Sequence, residues 1–113
     1  MNPNLDEIQR RQSIALAAIR AAYGTAEDEY GATLFVSHHL DELQVTYWEK
    51  HLQEALPDPI RVLDLLVLRS HWGEDDDEGI ETFDFTLPDD VTDYVISVRF
   101  DEEGRVADIS MES

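Results

Sequence analysis

His38, His39, Asp41 and Glu42 lie within one short window and carry side chains from which metal sites and acid–base pairs are built. On a helix, His38 and Glu42 are four residues apart and share a face, as do His39 and Glu42 at a spacing of three. Zinc usually takes three or four protein ligands, so this window needs a further donor. His51 supplies one only if its own helix approaches. The competing role for the same residues is capping and ion pairing near a helix end. Ser37 beside these histidines makes no triad, because helical neighbours point about 100° apart and no nucleophile elbow is present. The glycines are scattered, so no phosphate-cradling loop exists. His71 stands alone on an expected strand and reads as structural.

A second candidate is Glu74-Asp75-Asp76-Asp77-Glu78, followed by Gly79. An EF-hand loop opened at Glu74 places Asp76, Glu78 and Gly79 acceptably. Its twelfth position is Phe85, where calcium needs a bidentate acid, so that motif fails. The other acidic run is Asp101-Glu102-Glu103. Trp72 precedes the first run, and tryptophan is a common anchor of protein interfaces. Trp48, with Tyr47, reads as core.

Composition narrows the function classes. The chain has 113 residues, 26 Asp and Glu against 8 Lys and Arg, and a net charge of −18. Such a surface repels nucleic acid and anionic lipid, whose phosphates need Lys and Arg, and favours basic partners. Residues 74–113 hold 15 acids against Arg99 and Arg105, whereas residues 1–23 carry a net of +1. No Cys is present, so disulfides and thiolate chemistry are excluded. Neither a signal-peptide pattern nor a run approaching the roughly 20 apolar residues of a membrane helix is visible. The expectation is a cytoplasmic protein.

The elements that must position these residues follow from periodicity. Asn4, with Glu7 three residues on, opens a helix over 5–23 as a capping box, and Gly24 stops it. Thr25 and Asp28 cap a second helix over 26–43. Gly31, Thr33 and Val36 leave a strand over 32–37 as the alternative. Thr46 and Glu49 open a short helix over 46–55 that ends at Pro57-Asp58-Pro59, with one further turn to about Leu63. Leu65–Trp72 is the first strand. Phe83, Phe85 and Leu87, then Tyr94, Ile96, Val98 and Phe100, alternate at period two. A turn ending in Gly104 leads to a last strand over 105–111, with Ala107, Ile109 and Met111 in alternation. The outer face then carries Thr82, Asp84 and Thr86 beside Val95, Ser97 and Arg99. Arg99 is expected to pair across to Asp84.

Leu87-Pro88-Asp89-Asp90-Val91-Thr92-Asp93-Tyr94 through Phe100-Asp101-Glu102-Glu103-Gly104, with the ending Ile109-Ser110-Met111-Glu112-Ser113, resembles the C-terminus of a bacterial domain-of-unknown-function family of small acidic proteins. The similarity covers about the last 27 residues and is loose upstream. It implies a bacterial source and a shared fold. It carries over no catalytic residue.

The expected architecture is α+β in a single domain: N-terminal helices, about residues 1–63, packed on one face of a four-stranded antiparallel β-meander, about residues 64–113. In a meander the first and third connections share an end, so Glu74, Asp75, Asp76, Asp77 and Glu78 gather with Asp101, Glu102 and Glu103 beside Trp72. The expected function is a non-enzymatic module that binds a basic protein there. An immunity or inhibitor protein against a basic toxin is its concrete form. The alternative is a small enzyme or metal or ligand binder using the His38–Glu42 region. No catalytic residue, metal ligand or cofactor is singled out. The chain is expected as a monomer, or as a homodimer through the outer face or an edge strand.

Overall fold

The computed structural model describes residues 3–73 and 80–112. Helix α1 spans Pro3–Ala22. It starts earlier than Asn4 would place it, so Asn4 lies inside the helix. Proline suits the first helical position because its missing N–H has no intrahelical partner there anyway. Glu7 does not cap. Its carboxylate accepts from Arg10 Nε at 2.9 Å and Arg11 Nε at 2.6 Å. Gly24, in the left-handed region at φ 84°, ends the helix as expected.

The segment expected as one helix over 26–43 is broken in two. A 3-10 turn, Ala26–Asp28, precedes helix α2, Ala32–Glu42. Asp28 causes the break. Its buried carboxylate accepts from the N–H of Ala32 at 3.2 Å and of Thr33 at 2.8 Å, and from the Thr33 hydroxyl at 2.9 Å. Asp28 therefore caps α2 rather than closing a box with Thr25, whose hydroxyl donates to the Ala22 carbonyl. A Cβ at Gly31 would collide with that carboxylate, so the glycine makes room for the cap.

Helix α3, Val45–Leu52, begins one residue before Thr46, with Gln44 at its N-cap and no side-chain cap. It ends at Gln53, which is left-handed at φ 60°, well before Pro57. Pro59–Leu65 then forms a 3-10 segment led by proline.

Strands β1 (Val67–Trp72), β2 (Thr82–Thr86), β3 (Val95–Phe100) and β4 (Val106–Glu112) form one antiparallel sheet in the order β1-β2-β3-β4. The inner face carries Phe83, Phe85, Ile96, Val98 and Phe100. These pack with Ile19 of α1, Phe35 and Val36 of α2, Trp48 of α3, and Val62. The α+β architecture, with helices on one face of a meander, is as expected.

Two bulges depart from simple alternation. Leu68 pairs with Phe85 and Ser70 with Asp84, leaving Arg69 extra in β1. Arg99 pairs with Asp108 and Phe100 with Val106, leaving Ala107 extra in β4. Val106 therefore packs on the core and Ala107, expected inward, is exposed. Tyr94, also expected inward, precedes β3 and is 36% exposed, its ring against His38 at 4.9 Å. The outer edge of β4 is engaged by the Met111 N–H, which donates to the Tyr30 carbonyl at 3.0 Å.

Candidate functional site

At the end of the sheet where the acidic runs were expected to gather, the described acids of those runs are Asp101, Glu102 and Glu103. Glu74, Asp75, Asp76, Asp77 and Glu78 lie outside the described residues. The chain returns to the sheet beside the third connection, where the Phe100 N–H donates to the Glu81 carbonyl at 2.7 Å. In that connection the Asp101 carboxylate accepts from the N–H groups of Glu103 at 2.9 Å and Arg105 at 3.0 Å. The Arg105 N–H bond is the main reason Asp101 is held below the usual carboxylate range; the Glu103 N–H and the Arg105 and Arg11 guanidiniums add to it. Glu102 is exposed, and Glu103 pairs with Arg105.

Helix α1 brings cations to this end. Arg10 and Arg11 lie so close to Gly104 that a Cβ there would meet their guanidiniums at 3.0 and 3.2 Å. Arg11 Nη1 donates to the Ile80 carbonyl at 2.7 Å, and its guanidinium lies 5.3 Å from the centre of the Phe100 ring. The carboxylates of the third connection are thus partly offset by the chain's own arginines.

In the His38–Glu42 window, His39 is tied into the fold. His39 is buried, with Nδ1 2.7 Å from the Phe35 carbonyl and Nε2 2.9 Å from Thr92 Oγ1. A carbonyl only accepts, so Nδ1 carries the proton and Nε2 accepts from the Thr92 hydroxyl. Burial pushes this imidazole below its ordinary pKa, in the direction of the neutral ring. Ser37 donates to the Leu34 carbonyl. His51 joins Lys50 on Asp89, at 2.8 and 3.0 Å, away from His39. His71 stacks on Phe83. Among the described residues, no group of three or more histidines and carboxylates is placed to hold a metal ion.

The outer face of the sheet is where the geometry is open. It forms a trough of about 660 Å³ lined by the strands and by Asp93, with no helical residue among the described lining. Its floor is recessed: Thr82 and Val95 are 5 and 7% exposed although no described helix lines the trough. Longer side chains, among them Arg69, Trp72 and Glu112, line the trough around them. Arg69, the bulged residue, is one wall, and its Nη1 reaches the Asp93 carbonyl at 3.3 Å. Trp72, 44% exposed, is another.

At the centre lies Asp84. One oxygen accepts from the Ser97 hydroxyl at 2.5 Å, and the other from Trp72 Nε1 at 3.2 Å. The expected Arg99–Asp84 pair is not formed. The register sets Arg99 opposite Thr82 and Asp84 opposite Ser97, so the two residues are diagonal neighbours, their backbone positions about 7–8 Å apart at this pairing. Among the described residues the Arg99 guanidinium makes no hydrogen bond or ion pair. Asp84, Asp93, Asp108 and Glu112 face Arg69 and Arg99 across the trough, a net of two negative charges.

Of the residues singled out from sequence, Trp72 belongs to this trough, while Asp101, Glu102 and Glu103 lie at the end of the sheet beyond it. Arg69, Asp93, Asp108 and Glu112 were missed. The period-two pattern could have given Asp108 and Glu112, since they alternate with Ile109 and Met111. Comparison with known proteins finds no matching family model, no matching curated protein and no matching solved structure.

Proposed function

We propose that this chain is a non-enzymatic acidic binding module, that its working surface is the outer face of the sheet, and that its partner is a basic protein. An inhibitor or immunity protein that neutralises a basic toxin is the concrete form. The observation that supports this is the trough: a recessed floor, an exposed indole at the rim and a carboxylate majority, on a face without described helices. Charged residues of one sign around a cleft steer and orient a partner of the other sign. An exposed tryptophan beside them supplies the apolar anchor that charge alone lacks. The His38–Glu42 window gains no comparable support, since His39 spends both ring nitrogens on Phe35 and Thr92.

The test is capture from an extract of the source cell at rising salt, comparing the wild type with an Asp84→Lys, Asp108→Lys double variant. A basic protein retained at low salt by the wild type and lost from the variant supports the reading. Equal retention by both moves the contact elsewhere. Sedimentation runs beside it: a concentrated wild type that dimerises while the variant stays monomeric gives the face to a second copy instead.

A further inference from the structure

We propose that the trough recognises one arginine side chain of its partner, laid flat against the Trp72 ring with its fork toward Asp84, and that Arg99 opposes this binding. This rests on the basic-partner reading above and names the contact that would carry it. The Trp72 indole is held in place by its N–H, which donates to Asp84. Its ring and that carboxylate are therefore fixed relative to one another. An aromatic face attracts a cation through its quadrupole, and a carboxylate beside the face adds charge-assisted hydrogen bonds. Each oxygen of Asp84 already accepts one hydrogen bond, and a carboxylate has about four lone-pair sites, so acceptor capacity remains.

The occupant's chemistry follows from exclusions. A bare divalent ion lacks ligands, because no group of three or more suitable side chains converges among the described residues. An anion meets the carboxylates of Asp84, Asp93, Asp108 and Glu112. Between the two protein cations, guanidinium is planar, weakly hydrated and forked, so it stacks and pairs at once. Ammonium is a strongly hydrated point charge. The trough volume of about 660 Å³ admits such a side chain.

Arg99 gives the proposal its sign. It lies in the same trough, diagonal to Asp84 and without a partner among the described residues. An incoming guanidinium is repelled by it, so removing its charge must tighten binding. A gain of affinity cannot come from damage to the fold.

The experiment titrates the labelled full chain with tetra-arginine and tetra-lysine peptides and follows the Trp72 indole N–H by NMR. Equal peptide charge cancels the general attraction of an acidic protein. The arginine peptide is expected to bind about fivefold tighter than the lysine peptide and to move the Trp72 indole signal. The preference is expected to vanish in Trp72→Ala, and Arg99→Gln to tighten arginine binding about threefold. An affinity ratio of one, an unmoved Trp72 signal, or weaker binding in Arg99→Gln overturns the proposal. If the ratio is one while Asp84→Lys, Asp108→Lys still abolishes partner capture, the arginine anchor fails and the basic-partner reading survives. If capture is also unchanged, both fail.

Discussion

On β3, Ile96 and Val98 point to the helices, while Val95, Ser97 and Arg99 point into the trough. Judged by exposure alone, Val95 at 7% belongs with Ile96 at 0%. The two are buried by different means. Ile96 is closed in by residues of the helical layer, a contact that exists only in the folded chain. Val95 is closed in by the walls of its own sheet face, where the described lining leaves one side to solvent. Low exposure thus marks a packed core on one face and a recessed floor on the other. The recess holds fixed groups such as Asp84 without satisfying all of them.

The sharpest way to test this contrast is truncation on either side of the sheet. Phe85→Ala is expected to destabilise by about 3–5 kcal/mol in urea unfolding, because it leaves a cavity under the helices. Val95→Ala should lose about 1.5 kcal/mol, the transfer term of the removed groups with little cavity term. Equal losses would mean that the outer floor is as closely packed as the core.

Next in size is the proton linkage of His39, which ties α2 to Thr92 on the connection between β2 and β3. Its folded-state value lies below the ordinary 6.5. Between the two values the unfolded chain binds the extra proton. Stability is therefore complete above about 6.5 and falls as pH drops below it, by at most about 1.4 kcal/mol per pH unit. Its neighbours His38 and Glu42 act in opposite directions on it, His38 lowering and Glu42 raising. His39→Gln should flatten the pH dependence between neutral and mildly acidic solution; an unchanged slope would show that another group dominates.

Smallest is Asp84→Asn. The amide keeps the shape: its oxygen can accept from Trp72 Nε1, and its NH2 can donate to the Ser97 hydroxyl, which reverses its role, so unfolding stability should shift by under about 1 kcal/mol. Tetra-arginine binding should nonetheless weaken, since the charge is gone. A large stability loss with this variant would show Asp84 to be part of the fold rather than an idle charge in an open trough.

Much of the architecture was legible. Phe83, Phe85, Ile96 and Val98 alternate so strictly that the sheet, its order and its buried face followed. The departures have local causes. The helix expected over 26–43 looked continuous because Asp28 and Gly31 can each be tolerated in a helix; only their mutual contact makes a cap that breaks it. The bulges at Arg69 and Ala107 depend on pairing partners far along the chain, which alternation within one strand does not encode. The trough was half legible for the same reason. Asp84, Ser97 and Arg99 were assigned to its face, but their register, and so the loss of the Arg99–Asp84 pair, required the sheet itself. Charge counting pointed to the acidic end and overlooked Arg10 and Arg11, which fold back onto it from the other end of the chain.

The edges of this sheet differ in how they meet the risk of templated growth. β4 is engaged by the Tyr30 carbonyl, while β1 is interrupted at Arg69 by a bulge that places a cation on the strand. A flat, regular edge would let one molecule serve as the mould for the next and seed fibres. Deleting Arg69 would restore an uninterrupted strand of alternating residues and remove its charge. Such a variant is expected to form thioflavin-positive material on agitation sooner than the wild type, one copy templating the next.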